Sequence, residues 1–320
     1  MSTAIIPAPH EVGVTPPTLS FVPVVVPSPD RPVVLAVRVT APATGEQLPI
    51  ILLAHGHGPS NYVSSYYGYG PLVDYYAAHG FVVIQPTFLD SAMLGLREVD
   101  DPDAPLYWRQ RALDMSLIID NLDAIESAVP LLAGRPDRDK VAVVGHSMGG
   151  HTAGLLLGAR LTDPADGSVV DLREPRIKAG VLMSAPGRGG DALSEYAAEH
   201  YPFLDKPDFS TMTTPALVVA GENDDVEYLS TAGPSWFVDP YTLSPAKSLL
   251  TVLGAKHGLG GVAGFDLDET TDEHPGKVDM VRRITAAFLR AQLSADDKDW
   301  QEAVDALTAV AEPLGRIESK

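Results

Sequence analysis

Short apolar runs bounded by proline, glycine or charged residues recur along the chain. They read "FVPVVV" (21–26), "RPVVLAVRVTAP" (31–42), "LPIILLAHG" (48–56), "FVVIQPTF" (81–88), "KVAVVGHS" (140–147), "IKAGVLMSAPG" (177–187), "TPALVVAGEND" (214–224) and "KSLLTVLGAKHG" (247–258). Runs of this length and β-branched content predict strands, and the runs from 48 onward have the unbroken apolarity of strands covered on both faces. The first two runs are separated by "PSPD", a turn signal. Between the strands the period changes. "PLVDYYAAHG" (71–80) opens with proline and closes with glycine, the usual asymmetry of a helix. In "YWRQRALDMSLIIDNLDAIES" (107–127), Leu113, Leu117, Ile118, Leu122 and Ile125 recur at spacings of three and four and predict one long amphipathic helix. Further helices are predicted over "MGGHTAGLLLGARL" (148–161), "HPGKVDMVRRITAAFLRAQL" (274–293) and "DKDWQEAVDALTAVAEPLG" (297–315).

Strands alternating with helices predict an α/β protein, with a mostly parallel central sheet of about eight strands and helices on both faces. The two early strands have no helix between them, which predicts an antiparallel edge. Residues 1–20 are proline-rich and read as an extended arm, 21–293 as one domain, and 294–320 as a helical extension packed on it. The polar segment 159–176 reads as a surface excursion. Segment 188–213 contains a short helix, "ALSEYAAEHYPFL", too small for a large cap domain but placed to cover part of a site.

Composition narrows the partners. With 42 acidic against 23 basic side chains the formal charge is −19, which repels phosphate backbones and anionic lipid surfaces. Neither nucleic acid nor membrane is an expected partner, and oligomeric state is not legible. There is no cysteine, so disulfides, thiolate catalysis and cysteine-bound metals are excluded. The first residues lack the basic and apolar regions of a signal peptide, and no run reaches the roughly 18 apolar residues of a membrane helix. The expected location is the cytoplasm, although a secreted protein with its signal removed would read the same way.

The chemistry concentrates at Gly145-His146-Ser147-Met148-Gly149, between a predicted strand and a predicted helix. In that context G-x-S-x-G forms a tight turn that lifts the serine above the carboxyl end of the strand. A serine hydroxyl needs a histidine to take its proton and a carboxylate to orient that histidine. The partners are expected just beyond later strands, acid before histidine. "TPALVVAG" is followed by Glu222-Asn223-Asp224-Asp225, and "SLLTVLGAK" by His257. Ser147, Asp224 and His257 are therefore the expected triad, with Asp225 the rival acid; Asp266 and Asp268 follow the histidine and break the order. His10, His79, His151, His200 and His274 read as surface or packing residues, and His146 as packing beside the turn.

Acyl transfer also needs donors for the oxyanion. The expected donors are the backbone N–H of Met148 and, from the loop His55-Gly56-His57-Gly58, that of His57, with Gly58 as rival. His55 and His57 have no evident third ligand, so no metal site is expected there, and no cofactor is implied. Aromatic residues near the predicted strand ends, Tyr62, Tyr66, Phe88 and Trp236, are the expected walls of an apolar substrate pocket.

On these motifs the chain resembles serine hydrolases of the α/β-hydrolase superfamily over roughly residues 20–293. "HGHG", "LVDYYAAHGFVVIQP", "WRQRALDMSLIIDNL" and "GHSMGG" resemble the corresponding segments of the uncapped chlorophyllase-like and dienelactone-hydrolase-like esterases. The chain departs from dienelactone hydrolases in having no cysteine nucleophile. It departs from related polyester hydrolases in reading "SAPGRGG" (184–190) where they carry a tryptophan. The resemblance implies a carboxylesterase-type enzyme acting on small to medium neutral esters. The alternatives are an acyltransferase or perhydrolase using the same acyl-enzyme, a cutinase-like polyester hydrolase, or a non-catalytic binding protein on the same scaffold.

Overall fold

The computed structural model describes residues 16–245, 248–265, 267–294 and 298–320. The expected arm lies mostly outside the described residues, as do His10 and Asp266.

The main sheet contains β1 (Thr18–Val26), β2 (Leu35–Pro42), β3 (Leu48–Ala54), β4 (Val82–Pro86), β5 (Pro136–His146), β8 (Ile177–Met183), β10 (Ala216–Gly221), β11 (Ser248–Val252) and β12 (Gly315–Ser319). Their order across the sheet is β1-β2-β4-β3-β5-β8-β10-β11-β12. Pairing from β4 to β11 is parallel; β1–β2, β2–β4 and β11–β12 are antiparallel. A small second sheet, in the order β7-β6-β9, is made by β6 (Arg160–Thr162), β7 (Val169–Asp171) and β9 (Pro207–Asp208).

The uninterrupted apolar runs follow from covering both faces. Successive strand side chains point to opposite sides, so Ile50, Leu52 and Ala54 enter one core while Ile51 and Leu53 enter the other. The first core is closed by α2 (Trp108–Asp120), α3 (Leu122–Ala128) and α4 (Met148–Leu156), through side chains such as Met115, Ile118, Ile125 and Leu155. The second is closed by α1 (Gly70–Ala78), α7 (Pro275–Leu293) and α8 (Asp299–Thr308), through Leu72, Tyr76, Ile284, Phe288 and Leu307. Two short helices, α5 (Glu195–His200) and α6 (Asp239–Thr242), lie in loops beyond the sheet. Among the described residues no helix is long and apolar enough to cross a membrane.

Three expectations are corrected. The helix over 107–127 is two helices: Asn121 leaves helical geometry, and its side-chain amide donates to the Leu117 carbonyl at 2.9 Å, ending α2. Leu113, assigned to the buried stripe, is 44% exposed; the buried face instead holds Arg111 and Asp114. The extension over 294–320 is not purely helical. After α8 the chain turns into β12, which pairs with β11 and brings the main sheet to nine strands.

Candidate active site

β5 ends at His146 and α4 begins at Met148, so Ser147 alone makes the turn, with φ 55° and ψ −121°. Few non-glycine residues occupy positive φ, and such strain concentrates at functional turns. The flanking glycines make it possible. A Cβ on Gly145 would lie 1.9 Å from the Gly149 carbonyl oxygen, and one on Gly149 2.0 Å from that of Ala54. The Ser147 N–H donates to the Met183 carbonyl at 2.8 Å, fastening the turn to β8.

Ser147 Oγ lies 2.9 Å from His257 Nε2, and His257 Nδ1 lies 2.9 and 3.2 Å from the two oxygens of Asp224. Asp224 is fully buried, whereas Asp225 is exposed. The acid and histidine loops are joined by the Asn223 N–H, which donates to the Ala255 carbonyl at 2.8 Å. Asp272 braces the histidine loop from below, accepting from the N–H groups of Lys256 and Gly260 at 2.7 and 3.2 Å. Phe237 packs behind the imidazole with ring centroids 5.3 Å apart.

His146 sits between this histidine and the glycine loop after β3. The Gly56 N–H donates to the Tyr69 hydroxyl (2.9 Å), that hydroxyl donates to His146 Nδ1 (3.0 Å), and His146 Nε2–H donates to the His257 carbonyl (2.8 Å). Burial, followed by the charge on His257, lowers His146 to about 4, so it stays neutral and holds the tautomer this chain requires. Both nitrogens of His55 are engaged: Nδ1–H donates to the Gly56 carbonyl at 2.7 Å, and Nε2 accepts from the Phe88 N–H at 3.1 Å. Burial, and next the Arg111 charge, lower His55 to about 3. Among the described residues, the N–H groups of His57, Gly58 and Met148 have no hydrogen-bond acceptor.

The sequence reading missed a buried charged group beneath this loop. Asp90, after β4, accepts from His57 Nδ1 at 2.9 Å and from the guanidinium of Arg111 on α2. Burial opposes ionisation of Asp90, but Arg111 and His57 outweigh it and hold the carboxyl far below the usual range. An arginine in a helix pattern ordinarily signals the solvent face, and no local motif distinguishes this one.

The expected pocket walls divide. Tyr62 is 38% exposed and stands beside Gly264, and Tyr66 is nearly buried against Tyr67. Phe88 and Trp236 are fully enclosed, which corrects their assignment to the pocket surface. Phe88 lies under the Arg111 guanidinium and against His55, and the Trp236 indole N–H is spent on the Arg188 carbonyl at 2.7 Å. A crevice about the size of one water lies beside the first turns of α4, between Gly150, His151, Leu155, Ala185, Leu204 and Phe209.

The sheet, its two helical layers and the strand–serine–helix turn make up the α/β-hydrolase fold. Among solved structures the chain is similar to an esterase of Pyrobaculum calidifontis, with a TM-score of 0.53 and 19% identity over 87% of this chain and 86% of that one. Residues 11–162, from the first strands through the serine turn, match the model of the Chlorophyllase family. The curated proteins give no match.

Proposed function

We infer that the protein is a serine carboxylic-ester hydrolase working through an acyl-enzyme. The observation that carries this reading is the Ser147–His257–Asp224 relay, with both hydrogen bonds at 2.9 Å, on a serine held at φ 55°. Ser147 Oγ attacks the ester carbonyl as its proton passes to His257 Nε2. Asp224 keeps Nδ1 protonated and stabilises the imidazolium. The unpaired N–H groups of Met148 and His57 receive the oxyanion. His257 then protonates the leaving alcohol, the ester C–O bond breaks, and a water deprotonated by the same nitrogen releases the acid and restores the serine. The charge of −19 disfavours anionic esters.

The test is hydrolysis of p-nitrophenyl esters from acetate to laurate by wild type and Ser147→Ala. Turnover of the shorter esters is expected, with a loss of about a thousandfold or more in the folded variant. Inert wild type, or a variant as active as wild type, would refute the reading. Running the same assay with added alcohol or peroxide and analysing products separates hydrolysis from acyl transfer.

A further inference from the structure

The side chain of Arg111 is completely buried, as is that of its counter-ion Asp90. A buried ion pair seldom adds stability over a well-packed apolar pair, because desolvation offsets the attraction. What this one does is visible in where its hydrogen bonds go. Arg111 Nη1 donates to Asp90 Oδ1, Nη2 to the His55 carbonyl, and Nε to Thr152 Oγ1 at 3.1 Å. Thr152 is on the second turn of α4, and its hydroxyl passes the connection on to the Met148 carbonyl at 3.0 Å. The second oxygen of Asp90 accepts from His57 Nδ1 at 2.9 Å. Arg97 closes the far end, donating to the Asp90 carbonyl at 2.6 Å and the Gly58 carbonyl at 2.7 Å.

One guanidinium thus reaches both segments that bear the oxyanion donors. On the loop side it holds His55 directly and His57 through Asp90. The Gly56 carbonyl is already turned onto His55 Nδ1. In a trans peptide the N–H points opposite to the C=O, so the His57 N–H is turned away from His55. On the helix side it holds the first turn of α4, where the Ser147 carbonyl accepts from the His151 N–H at 3.1 Å and leaves the Met148 N–H directed out of the helix end. The two donors come from segments about ninety residues apart in sequence, and Arg111 is the side chain that spans them.

We propose that Arg111, with Asp90 as its counter-ion and Thr152 as its link to α4, is the positioning group that fixes the His57 and Met148 N–H donors relative to each other. This rests on the ester-hydrolase reading. A misplacement on the order of 1 Å in such a site costs on the order of a hundredfold in rate.

The test uses Thr152→Val, which removes only the link to α4, and the double variant Arg111→Met with Asp90→Leu, which removes the pair without leaving an orphan charge. Three quantities are measured on folded protein: kcat, KM for a p-nitrophenyl ester, and the affinity of an alkyl boronic acid, whose tetrahedral adduct on Ser147 places an anionic oxygen between the donors. The expected result is a fall in kcat of about a hundredfold in the double variant and about tenfold in Thr152→Val, with KM within about twofold and boronate affinity falling in parallel with kcat. A purely structural pair would lower stability and leave kcat and boronate affinity of the folded protein within about threefold, which overturns the proposal. If the double variant does not fold, Thr152→Val decides by the same criteria. A wild type that neither cleaves esters nor binds the boronate defeats the hydrolase reading itself, and the proposal falls with it.

Discussion

At the scale of single residues, the hydrogen-bond directions distinguish side chains that lie side by side in sequence. Asp224 meets His257 Nδ1 at 2.9 Å while Asp225 is exposed. Asp224→Asn is therefore expected to lower kcat by about three to four orders of magnitude, because an amide donor favours the wrong tautomer of His257. Asp225→Asn should stay within about twofold; steady-state kinetics of the pair decide, and equal losses would contradict the assignment. Tyr69 makes a second prediction. Its hydroxyl is the shared partner of the Gly56 N–H and His146 Nδ1, so Tyr69→Phe leaves buried polar groups unpaired and should cost roughly 1–3 kcal/mol in urea unfolding. A variant as stable as wild type would mean that water replaces the hydroxyl. Ser147 and His257 were legible because each stands at a recognisable place, the end of a strand within a motif or after one. Asp90 and Arg111 were not: their partnership joins a strand end to a helix 21 residues on, and a charged residue in either place reads as solvent-facing.

At the scale of elements, the apolar runs located the eight strands from β1 to β11 that belong to the main sheet: the six parallel ones because covering on both faces leaves an unbroken hydrophobic signature, and the antiparallel β1 and β2 through their valine-rich runs. β12 lacked that signature. Its sequence "GRIES" is charged and short, as suits an edge strand that must not recruit another chain. It is nevertheless what covers β11: Ile317 is paired with Leu250, and Lys320 Nζ beyond it donates to the Ser244 carbonyl at 2.8 Å. Deleting residues 315–320 uncovers the buried strand Ser248–Val252. The expected outcome is a lower urea midpoint and concentration-dependent association seen by light scattering. A truncated protein with the light scattering and the urea midpoint of the full chain would show that β12 is dispensable. The helix pattern over 107–127 was half legible for a related reason. Period alone marked Ile118 and Ile125, both buried, but it could not foresee that Leu113 would face solvent while Arg111 and Asp114 were taken inward by partners on other elements.

At the scale of the whole molecule, these buried polar groups couple the architecture to pH. Burial lowers His55 to about 3, with the Arg111 charge adding to the effect. Burial and the charge of His257 lower His146 to about 4, against a smaller opposing effect of Asp224. Burial and Arg111 lower His151 to about 3. Each is neutral in the folded state and takes up a proton on unfolding below the ordinary histidine value near 6.5, so each contributes stability that is complete above that pH and is lost as pH falls. Asp114 acts in the opposite direction. Burial raises it to about 6 even though Arg31 lies 2.9 Å away. Between its unfolded value near 3.8 and about 6 the folded state therefore binds the extra proton, and this contribution is lost as pH rises. For these four groups alone, three histidines against one carboxyl give an uptake of about two protons on unfolding near pH 5, equivalent to roughly 3 kcal/mol lost per pH unit. Urea midpoints measured between pH 7 and pH 4.5 are expected to be flat at the upper end and to fall steeply below about pH 6. His151→Phe, which removes one of the three without touching the Ser147–His257–Asp224 relay, should shallow that slope by about one proton. An unchanged slope would mean that His151 is not held neutral in the folded protein, and the acid sensitivity would then belong to His55 and His146 beside the serine. In that case activity and stability would fall together as pH drops, because the groups that keep the oxyanion loop and the His257 loop in register would be the ones being protonated.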